Sequence, residues 1–296
     1  MKSEIAVSMS GSGGLLLPYF ELLKPRVSLL VVLTSAAGFT LASTRPVDWP
    51  ALIWTVLATA LLSGGSVCLN QIMERHLDAR MTRTAGRPLP TARVSVGSAT
   101  GFGIVLILAG TIVFLSTTRV LPAALGLASA AVYLFAYTPL KRRTALCTTV
   151  GAVPGAIPPL IGWTAAGGQL NLEAWMLFGI LFLWQYPHFL AIAWIYRDDY
   201  RKGGFKMLPL DDPSGKRTAR QIVLFAVLLC AVSLFPWAFG PAGRVYLFSA
   251  LLAGAALLAT TLKLLKTPTT PYARYVMRAS VFYLPWLLAG LIMDRL

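Results

Sequence analysis

This sequence predicts an all-α integral membrane fold: a bundle of nine transmembrane helices, N-terminus cytoplasmic and C-terminus outside. Three observations carry the prediction. Apolar residues make up 56 % of the 296, and the mean hydropathy is +0.69. Charged residues are only 12 %, about half the usual share for soluble domains. The basic residues fall almost wholly in alternate loops between apolar runs, as retention of positive charge on the cytoplasmic side demands.

Residues 1–23, with Ser-Gly-Ser-Gly-Gly at 10–14, read as a flexible lead-in. They lack the apolar core of a signal peptide and the arginines of a transit peptide. Residues 24–296 read as one transmembrane domain. Nine runs approach the length needed to cross about 30 Å of hydrocarbon: 27–41, 51–72, 96–115, 121–140, 146–166, 175–195, 222–239, 245–265 and 276–293. The first suffices only if it begins near Pro25. Of the 26 basic residues, 22 lie in the N-terminus and the second, fourth, sixth and eighth loops. Arg45, Arg119, Arg244 and Arg295 alone lie on the other side. One missed crossing would scramble that alternation.

The net charge of +15 does not indicate nucleic acid, because the basic residues sit between apolar runs, where lipid headgroups and topology account for them. Cys68, Cys147 and Cys230 lie inside apolar segments at unrelated spacings, so they read as small buried hydrophobes.

The second loop carries the densest chemistry. Asn70, Glu74 and Asp78 are four residues apart, and if the preceding helix continues through them they share one face. Such hard oxygen donors suit Mg²⁺, which takes one or two carboxylates and completes its shell with water and substrate phosphate. Arg80, Arg83 and Arg87 follow, and guanidinium groups match phosphate oxygens in a bidentate fork. The sixth loop brings Asp198, Asp199, Asp211 and Asp212 to the same side. Asp198 and Asp199 point about 100° apart on a helix, so one of them is expected to face a shared site.

In the sixth crossing an interfacial aromatic belt accounts for Trp194 and Tyr196. Gln185 and His188 lie deeper, facing a cavity or bonded to a neighbouring helix. In the fifth crossing Pro154, Pro158 and Pro159 break backbone hydrogen bonds that lipid cannot replace, so the stretch is expected inside the bundle or against a cavity.

These residues resemble the UbiA superfamily of intramembrane prenyltransferases, and within it the branch that acts on haem. Asn70, Glu74 and Asp78 occupy that superfamily's first Asn-x-x-x-Asp-x-x-x-Asp pattern, with Glu in place of the middle Asp. The branch signature continues through Arg83, Thr84, Arg87, Pro88 and Leu89, then Tyr137 to Lys141, Gly151 to Gly162, Trp184 to Asp199 and Gly204 to Pro209. The second Asp-x-x-x-Asp is not intact, since Lys202 and Gly203 stand four residues beyond the two aspartates.

The resemblance implies transfer of a farnesyl group from farnesyl diphosphate to a vinyl group of haem b, with addition of water and release of pyrophosphate. It implies Mg²⁺ or Mn²⁺ held by Asn70, Glu74, Asp78 and Asp198, with Asp199 a further catalytic candidate. Arg26, Arg83, Arg87 and Lys202 are candidates for the diphosphate, and Tyr137, Lys141, Gln185, His188 and Tyr196 for the remainder of the substrates. His188 is the candidate for haem contact or for guiding the water, and His76 for contact with solvent or a headgroup. The implied location is a bacterial plasma membrane with active-site loops on the cytoplasmic side, and haem O-processing or oxidase-assembly proteins are implied partners. A quinone-precursor or chlorin acceptor is the nearest alternative. A secondary transporter is the alternative of a different class, although its polar residues would gather at the midplane and these carboxylates gather at one membrane face.

Overall fold

The computed structural model describes residues 16–43 and 46–295. Most of the expected lead-in, together with Lys2 and Arg45, lies outside the described residues. Its last part, Leu16–Leu22, forms a short helix α1 whose Leu22 is buried. Among the described residues all regular structure is helical.

Eight helical segments are long and apolar enough to cross a membrane. They are α2 (Pro25–Ala42), α3 (Trp49–Asp78), α4 (Val96–Thr117), α5 (Val120–Ala131) with its continuation to Leu140, α9 (Leu172–Ile195), α11 (Lys216–Val232) with α12 (Phe235–Phe239), α13 (Arg244–Lys266) and α14 (Thr270–Met293). The first begins at Pro25, as its length required. Large apolar side chains such as Leu33, Ile53, Val105, Ile112, Phe248 and Phe282 are exposed around the outside, as suits helices facing lipid.

The fifth expected crossing is not one long helix. It is two shorter ones, α7 (Cys147–Ala156) and α8 (Pro158–Ala165), broken at Ile157. Pro158 has no N–H to donate to the Pro154 carbonyl one turn back, and the Ser129 hydroxyl of α5 donates to it instead at 3.1 Å. The freed backbone is thus satisfied inside protein, as hydrocarbon requires. The pair runs between the two ends of the bundle: Cys147 lies beside Lys206, and Gly167, just past α8, lies beside Arg119.

Close helix contacts depend on small residues. α2 lies along α8, and a Cβ at Gly162 would overlap the Ser35 carbonyl oxygen. At the end holding Arg119, acids serve helix starts. Asp48 caps α3, Asp294 accepts from the N–H groups of Gly243 and Tyr246 at the start of α13, and Glu173 in the first turn of α9 pairs with Arg295. The other end is built differently, because the second, fourth and sixth loops fold over one another there.

Candidate functional site

A cavity of about 430 Å³ lies inside the bundle beneath those loops. Its long wall is apolar, from Leu30 and Val31 of α2, Leu62 and Val67 of α3, Ala130 of α5, Ile161 of α8 and Leu181 of α9. Val27 and Phe189 line it while remaining exposed on the lipid-facing surface. Its loop-side end is polar, lined by Lys24, Asn70, Glu74, Asp78, Arg83, Arg87 and Lys141.

The acidic face comes from α3, which continues unbroken to Asp78. Asn70, Glu74 and Asp78 therefore align along the cavity and are all buried. Each carboxylate has one cation. Lys141 Nζ donates to the two Glu74 oxygens at 2.8 and 3.1 Å, and Arg87 Nη1 donates to Asp78 Oδ2 at 2.6 Å. Asn70 Nδ2 donates to the Thr138 hydroxyl at 2.9 Å, whereas its Oδ1 is buried without a partner. An acceptor left unmatched at that depth is costly, and on the cavity wall it is open to a donor or cation inside the cavity.

Lys141 follows a π-helical segment, Val132–Tyr137, and a final turn, α6 (Thr138–Leu140). Such segments are frequent at functional sites. This one presents Tyr133 and Tyr137 to the cavity, stacked with ring centroids 5.5 Å apart. The Lys141 ammonium lies 4.5 Å from the Tyr137 ring centre, within cation–π range.

Sequence reasoning missed Lys24, Tyr133 and Tyr200 on the cavity wall, and it named Arg26 among the diphosphate candidates where the structure presents Lys24. Gln71 donates to the Leu22 carbonyl at 2.7 Å, and Ser28 donates to the Leu23 carbonyl at 2.7 Å. The chain end of α1 is thereby pinned, and Lys24 adopts the left-handed conformation, φ 44°, that sends its side chain into the cavity. Burial, with Arg87 and Lys141 nearby, pushes its pKa down to about 7. Arg26, two residues on, is exposed and outside the cavity wall.

The sixth loop meets the second, but not as expected. α9 ends at Tyr196, and Asp198 and Asp199 belong to a separate short helix α10 (Arg197–Lys202). Asp199 accepts from the backbone N–H groups of Thr82 at 3.2 Å and Arg83 at 3.0 Å. The slight burial of its carboxyl would raise the pKa, but these bonds hold it below the ordinary value. Asp198, expected to ligate metal, faces outward with its side chain 76 % exposed and pairs with Arg201 at 2.9 Å. Among the described residues no three of His, Cys, Asp and Glu gather at one point, so Asp198 does not join Glu74 and Asp78. The chain bends at Tyr196, and beyond the bend Tyr200 lines the cavity while Asp198 and Asp199 do not.

The remaining candidates divide. Tyr137, Arg83, Arg87, Lys141 and Gln185 line the cavity. Gln185 donates to the Ala152 carbonyl of α7 at 2.9 Å. His188 lies outside the wall, bonded through Nδ1 to the Ser280 hydroxyl of α14 at 2.9 Å and stacked on Trp184. It uses its polar edge between helices. Lys202 and His76 are exposed. Tyr196 sits outside the wall with its ring 5.2 Å from the Arg83 guanidinium.

Comparison with known proteins gives the same picture. Residues 31–284 match the model of the UbiA prenyltransferase family. A protoheme IX farnesyltransferase of Solibacter usitatus is 43 % identical over 94 % of this chain and 98 % of its own. Among solved structures, a digeranylgeranylglyceryl phosphate synthase superposes with a TM-score of 0.78 at 18 % identity, over 94 % of this chain and 98 % of its own. A UbiA homologue from Archaeoglobus fulgidus bound to DMAPP and Mg²⁺ superposes at 0.67 and 15 % identity, over 92 % and 98 %. These two carry the helical arrangement, and the curated relative carries the sequence. Together with the family match across most of the chain, they place this protein in the UbiA prenyltransferase family.

Proposed function

We propose that this UbiA-family prenyltransferase transfers the farnesyl group of farnesyl diphosphate to a vinyl group of haem b, with addition of water and release of pyrophosphate. One observation carries the reading: a long apolar cavity that ends in four cationic side chains and three aligned oxygen donors. That gradient matches an isoprenoid diphosphate, tail along the wall and headgroup under the loops. The haem acceptor rests on the sequence similarity to protoheme IX farnesyltransferases. We place residues 24–296 in one domain of a bacterial plasma membrane, with the site loops cytoplasmic. The reason is the skew of 22 basic residues to that side against 4. Proteins that process haem O or assemble an oxidase would be its partners.

Asn70, Glu74 and Asp78 would hold a divalent ion, Mg²⁺ or Mn²⁺. The unpartnered Asn70 Oδ1 and two hard carboxylates fit such an ion. When bound, it would offset charge on the departing diphosphate. Arg83, Arg87, Lys24 and Lys141 would take the phosphate oxygens. Binding of that anion draws Lys141 and Arg87 from Glu74 and Asp78, which frees both carboxylates. Loss of diphosphate leaves an allylic cation, beside which Tyr133 and Tyr137 offer electron-rich ring faces. The apolar wall withholds water until the vinyl carbon has attacked.

The test is direct. Purified protein is incubated with farnesyl diphosphate, Mg²⁺ and haem b, and the pigment is weighed by mass spectrometry. A haem heavier by one farnesyl and one hydroxyl group is expected, the second hydrogen of the water leaving as a proton. Prenylation of an aromatic acid with none of haem would reject the acceptor.

A further inference from the structure

The sixth loop's acidic pair does not reach the metal-binding face of α3, yet Asp199 is not idle. Both its oxygens accept backbone N–H groups of the second loop, Thr82 and Arg83. The Arg83 side chain lies against two rings from the same sixth-loop segment, Tyr196 at 5.2 Å and Tyr200 at 5.9 Å. Tyr196 and Tyr200, four residues apart, flank Asp199. One stretch of chain therefore grips Arg83 twice, by its main chain through Asp199 and by its guanidinium through two aromatic faces. Arg83 and Tyr200 line the cavity; Asp198, Asp199 and Tyr196 do not.

We propose that the sixth loop supplies no metal ligand, and that Asp199, Tyr196 and Tyr200 form a clasp positioning Arg83 over the cavity mouth to bind diphosphate. A carboxylate is suited to this because a charge-assisted bond to a backbone N–H is about twice as strong as a neutral one. The planar guanidinium is suited because it stacks on rings while its fork of N–H groups stays free for phosphate. The sites of metal and anion recognition are thus divided: α3 ligates, and the joined loops grip the phosphates. This rests on the diphosphate part of the function proposed above, and not on the acceptor.

The test compares Asp199→Ala with Asp198→Ala, which removes the same charge one residue away from an exposed position. Asp199→Ala is expected to raise the KM for farnesyl diphosphate and the Kd for inorganic pyrophosphate about tenfold, the loss of one charge-assisted bond. At saturating farnesyl diphosphate, where every site holds its anion, kcat and the Mg²⁺ concentration for half-maximal activity stay within about twofold of the parent. Trypsin cuts the Asp199→Ala protein faster after Arg80 and Arg83, because the second loop is released. Asp198→Ala behaves as the parent throughout. In an Arg83→Gln background Asp199→Ala adds little further loss, because it acts through Arg83. The proposal is overturned if Asp199→Ala raises the Mg²⁺ requirement, or if its effect is undiminished in Arg83→Gln. Trypsin and pyrophosphate report on the clasp without any acceptor, so failure to prenylate haem would reject the acceptor and leave the clasp standing.

Discussion

Replacing Lys141 by Met tests whether the ion pairs at the polar end of the cavity act as units. Lys141 Nζ and Glu74 Oε1 are 2.8 Å apart, and their side chains are 11 % and 7 % exposed. With an effective permittivity of about 20, two unit charges at that distance attract by about 6 kcal/mol. Desolvation takes back a large part of this, but removing one partner strands the other, and breaking a buried pair costs about 3–5 kcal/mol. At about 2–4 °C per kcal/mol, Lys141→Met should melt at least roughly 6 °C below the parent in detergent. Glu74→Gln combined with Lys141→Met removes both charges and should recover most of that loss, because a neutral pair has no stranded ion. Neither variant is expected to recover prenyl transfer, since both lack one of the four cations proposed to take the phosphate oxygens. Thermal melting of the three proteins, with farnesyl diphosphate turnover alongside, makes the measurement. A single variant that melts with the parent, or a double variant no more stable than the single, would refute the reasoning.

Three further substitutions probe the scaffold. Gly162→Ala sets a Cβ against the Ser35 carbonyl and 2.7 Å from the Phe39 nitrogen; overpacking of about 1–3 kcal/mol should force α2 from α8 and lower the melting temperature. Ser129→Ala strands the Pro154 carbonyl at the break between α7 and α8, at a cost of about 1–3 kcal/mol, again read by melting. Asp212 accepts from the Thr218 N–H at 2.8 Å and its hydroxyl at 2.9 Å. Burial would raise its pKa, but these bonds outweigh it and hold the carboxyl below the ordinary value. The stability this gives is therefore complete above about pH 4, the unfolded value, and is lost as pH falls through the lower folded value. Asp212→Asn should cost about 1 kcal/mol at pH 7, with the gap from the parent closing under strong acid.

Most of the architecture could be read in advance because a bilayer leaves few choices. Length of apolar run and sign of loop charge are both set by the solvent, so the spans and their common loop end followed directly. The alignment of Asn70, Glu74 and Asp78 was legible for a similar reason, since a helix that merely continues brings every fourth residue to one side. The break in the fifth crossing was marked by Pro154, Pro158 and Pro159, although Ser129 as the group that repairs it was not. What could not be read is set by turns and by distant segments. Lys24 rather than Arg26 enters the cavity because of one left-handed residue. Lys141 meets Glu74 across 67 residues of chain. Asp198 and Asp199 are adjacent, and only the bend at Tyr196 decides which touches the second loop.

The pairing of Glu74 with Lys141 and of Asp78 with Arg87 has a consequence for the order of events. With Lys24 and Arg83 also present, the polar chamber holds four basic groups and two acids, and a bare dication approaching it meets an electrostatic hill. A phosphorylated lipid reverses that sign on arrival and turns the two basic partners toward itself, so the acids become available only once an anion is seated. Divalent ions should therefore bind feebly alone and firmly beside pyrophosphate, and stray ions have little hold on an idle enzyme.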